Sequence, residues 1–227
     1  YDAFMEAVTW FLSGMQKHSD DYREDLLGNA DSFWGAMNHH EMNFTTPSLQ
    51  VAMNELSNHD HSRFLTRTNR KVGRTHTLGS HMANEGVNKA ILREAVIMQM
   101  TWTGAPTIYY GDEAGMEGYK DPFNRGCYPW GNENLELLDF YRTLGRIRRE
   151  NPVFKKGCFS PVSSMLGCVA YRRHDENGDI MVIVNRNEHP ISYRLPDYYA
   201  NPKALYGNNP ENQEVYIDGC SFVILSL

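Results

Sequence analysis

Apolar side chains recur at helical spacing in the first two thirds of the chain and then stop doing so. Phe4, Met5, Val8 and Phe11 or Leu12 place a helix over residues 2–11, ended by Ser13 and Gly14. Residues 20–41 are irregular, with Phe33, Trp34 and Met37 among polar clusters, and read as a second short helix or a packed loop. Beyond Pro47, residues 49–56 read as a short buried strand that ends in Ser57, Asn58, His59 and Asp60. Residues 61–74 carry Arg63, Arg67, Arg70, Lys71 and Arg74 with no acid, and read either as a solvated surface excursion or as a functional loop. Ile91, Ala95, Met98 and Trp102 mark a helix over 86–101, closed by Gly104 and Pro106. The β-rich run 107–110 then breaks at Gly111 into Asp112 and Glu113. Strand, helix, strand makes a parallel βαβ unit with a right-handed crossover. Leu137, Tyr141, Leu144 and Ile147 define one more helix over 134–150, with Asn134 as its cap and Pro152 as its stop.

After Pro152 the period shortens. Runs at 168–173, 180–184 and 191–195 are separated by turn clusters at 175–179 and 185–190, and 215–217 with 222–227 suggest a last hairpin through Asp218-Gly219. The expected organisation is α/β over residues 1–152 and an antiparallel β-sandwich over 153–227.

Charge and composition narrow the partners. The formal charge is −6, from 22 basic and 28 acidic residues, which disfavours a nucleic-acid partner. The longest apolar runs, such as 180–184 and 222–225, fall far short of the roughly 20 residues that a membrane span needs, so no membrane partner is expected. The cysteines at 127, 158, 168 and 220 are too scattered for a disulfide framework and read as reduced and structural. The chain opens on Tyr1, so the start of the gene product is expected to be missing; a cytoplasmic location is the working expectation.

Candidate chemistry gathers where the two strands end. In parallel α/β folds, sites collect at the carboxyl ends of strands, so Asp60 and the Asp112-Glu113 pair are expected on one rim. A His beside an Asp suits hydrogen bonds to a polyol, although metal or phosphate ligation draws on the same groups. No second ligand stands at metal-binding spacing from His59.

Those residues carry a resemblance. The run Leu56-Ser-Asn-His-Asp-His-Ser-Arg-Phe64 resembles the fourth signature region of the α-amylase family of glycoside hydrolases, and Gly104-Ala-Pro-Thr-Ile-Tyr-Tyr-Gly-Asp-Glu113 resembles the seventh. The continuation through Asp121-Pro-Phe-Asn-Arg125 and Tyr128-Pro-Trp130 is similar to the neopullulanase and cyclomaltodextrinase branch. The resemblance implies strands seven and eight of a (β/α)8 TIM barrel with their helices, followed by the C-terminal sandwich. It implies a retaining mechanism in which Asp60 stabilises the transition state, beside His59, while the nucleophile and acid/base belong to motifs that would lie before Tyr1. His59, Asn58 and Arg63 are the candidate substrate-binding residues. Asn58 also suits a strand-end support, and Arg63, like Arg125, suits an ion pair with a rim acid.

The implied substrate is an α-glucan: starch fragments, maltooligosaccharides, cyclodextrins or pullulan. No cofactor is implied, with calcium left open. The chain alone is expected to be inactive, and an open sheet edge to favour a homodimer. The rival readings are a non-catalytic carbohydrate-binding or docking fragment, and an amylase-like accessory chain of a transporter.

Overall fold

The computed structural model describes residues 2–199 and 201–227. Helix α1 (Asp2–Ser13) is followed by α2 (Ala30–Glu41), α3 (Thr46–Gln50) and strand β1 (Met53–Glu55). Asn29 caps α2, its side-chain oxygen accepting from Ser32 N at 3.0 Å. The expected strand over 49–56 is thus largely corrected. Pro47 in the first turn of α3 pre-sets a helical φ, so the chain coils once before it extends. Only three residues are strand, and the buried one is Asn54, while Val51 and Met53 face outward.

The basic segment contains α4 (Phe64–Arg67), α5 (Thr75–Leu78) and a 3₁₀ turn at Ser80–Ala83. Helix α6 (Lys89–Thr101) leads to β2 (Ala105–Thr107), which pairs parallel with β1 in the register Asn54↔Pro106. This is the expected βαβ unit, but its second strand is corrected to 105–107: the β-rich run 107–110 is strand only at Thr107. Asn88 caps α6 through Ala90 N and Ile91 N. Gln99 reaches from α6 to both strands, donating to Asn54 O at 3.0 Å and Thr107 O at 2.9 Å. Gly104, at φ 127°, makes the turn possible: a Cβ there would lie 2.6 Å from Ala52 O and 2.7 Å from the Asn54 amide. Helix α7 (Leu135–Glu150) starts at Asn134, whose side chain accepts from Leu137 N, and α8 (Val153–Lys156) follows.

The remaining strands are β3 (Cys158–Met165), β4 (Cys168–Asp175), β5 (Gly178–Asn185), β6 (Ile191–Arg194), β7 (Lys203–Tyr206), β8 (Glu214–Ile217) and β9 (Ser221–Ser226). One sheet runs β3-β4-β5-β9-β7, and β6 with β8 forms the second layer. The expected β4–β5 hairpin is present, but β8 and β9 are not a hairpin: they belong to different sheets, and the chain crosses between layers there and again from β5 to β6.

One face of the five-stranded sheet (Val169, Tyr171, Val182, Val184, Phe222, Ile224) joins the helices in a single apolar cluster, and the other (Ala170, Met181, Ile183, Val223, Leu225) packs on Tyr193, Val215 and Ile217 of the second layer. Trp102 ties the parts together. Its ring lies 4.4 Å from that of Phe159 and 4.9 Å from that of Tyr171, and its Nε1 donates to Glu41 Oε1 at 2.8 Å. The four cysteines are unbridged. Cys168 is buried and Cys220 half-buried, whereas Cys127 and Cys158 are exposed, which departs from the expectation that all four are structural. Among the described residues no helix is long and apolar enough to cross a membrane.

Candidate functional site

The loop that leaves β1 folds back on itself around Asn58. Its side-chain oxygen accepts from Asp60 N at 2.9 Å and His61 N at 3.2 Å, and its amide donates to Glu55 Oε1 at 2.6 Å. An Asn that bonds the backbone two and three residues on closes a tight turn. At the head of that turn the side chains of His59 and Asp60 are 64% and 61% exposed, with His59 Nε2 at 3.5 Å from Asp60 Oδ1. They face solvent, while Ser57, His61, Arg63 and Asn124 beneath them are buried.

The support comes from the loop that follows β2. Arg63 is fully buried; its Nη1 donates to Asp112 Oδ1 at 2.9 Å and its Nε to Asn124 O at 3.0 Å, and its guanidinium lies 4.6 Å from the Tyr109 ring centroid. Asn124 donates in turn to Asn58 O at 2.9 Å and His61 O at 2.6 Å, and Arg125 Nε to His59 O at 3.3 Å. Arg125 also pairs with Asp121 at 2.7 Å. The turn bearing Asp60 is therefore gripped through its carbonyls at 58, 59 and 61.

Burial pushes the Asp112 carboxyl up to about 6, although the Arg63 guanidinium and the Ser57 hydroxyl pull it back. Glu113 is bound by Gly111 N at 2.9 Å. The rim acids foreseen beside Asp60 are thus engaged with neighbouring groups, and Asn58 and Arg63 shape the turn from beneath rather than line its opening.

Arg67 completes the cradle from the other side. The basic segment is no solvated excursion at this point. Fully buried, Arg67 donates to Leu56 O, to Ser62 O at 3.0 Å and to Thr9 Oγ1 at 2.5 Å, bracketing the turn at both ends and fastening it to α1. Desolvation pushes its guanidinium down to about 9. Next to it the buried His61 packs edge-on against His18 at 4.6 Å, and burial with the nearby Arg67 charge pushes its imidazole down to about 4. Sequence reasoning did not single out Asn124, Arg67 or His61. Asn124 did lie inside the quoted stretch 121–125, and His61 directly follows Asp60. Among the described residues no group of three or more His, Cys, Asp or Glu is placed to hold a metal ion.

Residues 16–150 match the family model described as alpha amylase, catalytic domain. The chain belongs to the α-amylase family. It is similar to an amylopullulanase of Thermoanaerobacter thermohydrosulfuricus, with 35% identity over 143 residues that make up 60% of this chain and 9% of that protein. A cyclomaltodextrinase of Thermoanaerobacter pseudethanolicus is 34% identical over 140 residues, 61% of this chain and 21% of its own length. Among solved structures, the debranching enzyme of Nostoc punctiforme superimposes with a TM-score of 0.79 at 20% identity, over 99% of this chain and 45% of that one.

The expected fold class is therefore seen, as the C-terminal part of the family's architecture: the end of the (β/α)8 barrel followed by an all-β domain. The likeness to the cyclomaltodextrinase branch, foreseen from the signature motifs, holds as well. The matches span under a quarter of the length of these curated relatives.

Proposed function

We propose that this chain is the part of a retaining glycoside hydrolase that holds the reacting sugar, in an enzyme cleaving α-glucosidic bonds of α-glucans such as maltooligosaccharides, cyclodextrins or pullulan. The observation that carries the reading is the exposed His59–Asp60 pair on a turn whose carbonyls are bound from below by Asn124, Arg125 and Arg67. A carboxylate that accepts from two neighbouring hydroxyls, with an imidazole donating to a third, gains most when the ring flattens toward an oxocarbenium ion. Contacts strengthened only in that distorted state lower the barrier. Such a gain requires a carboxylate that does not drift, and the buried lattice beneath Asp60 supplies the rigidity. Asp60 is the transition-state stabiliser in this reading and His59 its sugar-binding neighbour.

The nucleophile and acid/base, which in a retaining enzyme stand ~5 Å apart, come from other strands of the complete barrel. This chain alone therefore does not turn over substrate. The test is release of a chromogenic maltoside by the isolated chain and by a protein that also carries the first three signature regions. Turnover only in the longer protein is expected. Turnover by the isolated chain that Asp60→Asn abolishes would mean the missing carboxylates lie within it, and no turnover by either would favour the carbohydrate-docking alternative.

A further inference from the structure

The outer face of the β6–β8 layer takes no part in the site described above. In this pair Ser192 stands opposite Tyr216 and Arg194 opposite Glu214. The alternation that buries Tyr193, Val215 and Ile217 against the five-stranded sheet sends those four side chains outward. They floor a groove of about 690 Å³ walled by residues 208–212, and a second hollow of about 420 Å³ shares Asn209 and Asn212 with it and continues past Lys203.

Three features mark this groove as built. The first is its polar wall. Asn208 uses its amide nitrogen on Tyr216 O at 2.9 Å and keeps its oxygen, while Asn209 uses its oxygen on Ala204 N at 2.9 Å and keeps its amide nitrogen. The second is the set shape of the loop. Asn212 and Gln213 both sit in the left-handed region, at φ 49° and 65°, held by Gln213 Nε2 donating to Tyr199 O at 2.9 Å and by Leu195 N donating to Gln213 O at 2.7 Å. The third is the floor, where the Tyr216 side chain lies half open to solvent. Arg194 pairs with Asp197 at 3.0 Å, and the other charges of the lining are Lys203 against Glu211 and Glu214, so the groove has no positive field to draw an anion or a polyanion.

An aromatic face flanked by planar amides with a spare donor and a spare acceptor matches a hexopyranose, whose apolar ring face stacks while its vicinal hydroxyls both give and receive hydrogen bonds. We propose that this groove is a second carbohydrate site, binding a stretch of α-glucan on the sandwich apart from Asp60. The choice of α-glucan among neutral glycans rests on the function proposed above; the groove itself does not.

The test is an amide-shift titration of the ¹⁵N-labelled chain with maltoheptaose, repeated with cellohexaose. Saturable shifts at residues 192–194 and 208–216 are expected with maltoheptaose. Tyr216→Ala should weaken that binding by about tenfold, and so should Asn212→Gly, which keeps the left-handed backbone and removes the amide. His59→Ala should leave those shifts unchanged. The dispersed spectrum of each variant reports its folding. Absence of shifts in this region with maltoheptaose, a preference for cellohexaose, or shifts indifferent to both groove substitutions would overturn the proposal. None of these outcomes bears on Asp60, whose role is read from turnover.

Discussion

Replacing Arg63 with Met tests whether the turn is held as described. The guanidinium is fully buried, and its Nη1 lies 2.9 Å from a carboxylate that is itself 6% exposed. Met keeps most of the stem and removes the charge, leaving Asp112 buried without its direct partner, a situation that typically costs ~3–5 kcal/mol. The loss should depend on pH in a definite direction. Asp112 in the folded chain already titrates up at about 6, against a reference of 3.8. Removing Arg63 takes away the charge that does most to favour the ionised carboxylate and raises that value further. An acid whose folded pKa is raised contributes stability at low pH and loses it as pH rises through the folded value. The Arg63→Met penalty should therefore be full at pH 8.5 and shrink as pH falls toward 6, where the variant's carboxyl is protonated. Urea unfolding followed by circular dichroism at pH 8.5 and 5.5 reads this directly. Arg63→Met with Asp112→Asn should recover most of the loss at pH 8.5, because the unpaired charge is then gone. A penalty below ~1 kcal/mol at pH 8.5, or a double variant no better than the single, would refute the reasoning.

Other consequences follow from neighbouring groups. His61, held down to about 4 in the folded chain but near 6.5 when unfolded, binds protons first in the unfolded state. Stability should fall as pH drops from about 6.5 to 4, by no more than ~3.4 kcal/mol from this group, and His61→Gln should flatten that part of the profile in thermal melts. The exposed apolar side chains Met42, Val51 and Ile108, around a sheet of only two strands, should drive self-association. Light scattering across a concentration series should show mass above the monomer, and a constant monomer mass would contradict the expectation.

The parts of the fold that were legible are those with a strong local period. Helix α7 buries one face, α6 carries apolar side chains at helical spacing although it is buried all round from Glu94 to Thr101, both begin at Asn caps, and the β4–β5 hairpin has turn residues between two apolar runs. Strand β3 escaped notice because it is an edge strand: it tolerates Pro161 and three serines, with a bulge between Pro161 and Ser163, and so has no clean alternation. The order of the sandwich was illegible for a different reason. Whether β8 pairs with β9 or with β6 depends on which sheet each buries against, and Asp218-Gly219 serves a crossover as well as it serves a hairpin.

At the candidate site, His59 and Asp60 were visible through the signature motif and the strand-end position. The lattice below them was not. Arg63, Arg67 and Asn124 act mostly on backbone carbonyls, some more than 60 residues away, and a carbonyl leaves no trace in the side-chain sequence. Five basic residues spread over 61–74 left a solvated excursion and a functional loop both open, and two of them spend donors on buried carbonyls.

The central claim is that Asp60 grips the sugar mainly as it distorts. The measurement that tests it most directly is the steady-state kinetics of Asp60→Asn, on a maltooligosaccharide, in a protein that also carries the first three signature regions. Asn is nearly isosteric and keeps one acceptor, so the bonds that Asn58, Asn124 and Arg125 make to the turn's backbone stay in place. The account predicts that kcat and kcat/KM fall together, by ~100-fold or more, while KM changes by less than about threefold, the pattern of a contact made in the transition state. A raised KM with kcat unchanged would instead assign Asp60 to ordinary ground-state binding and contradict the account.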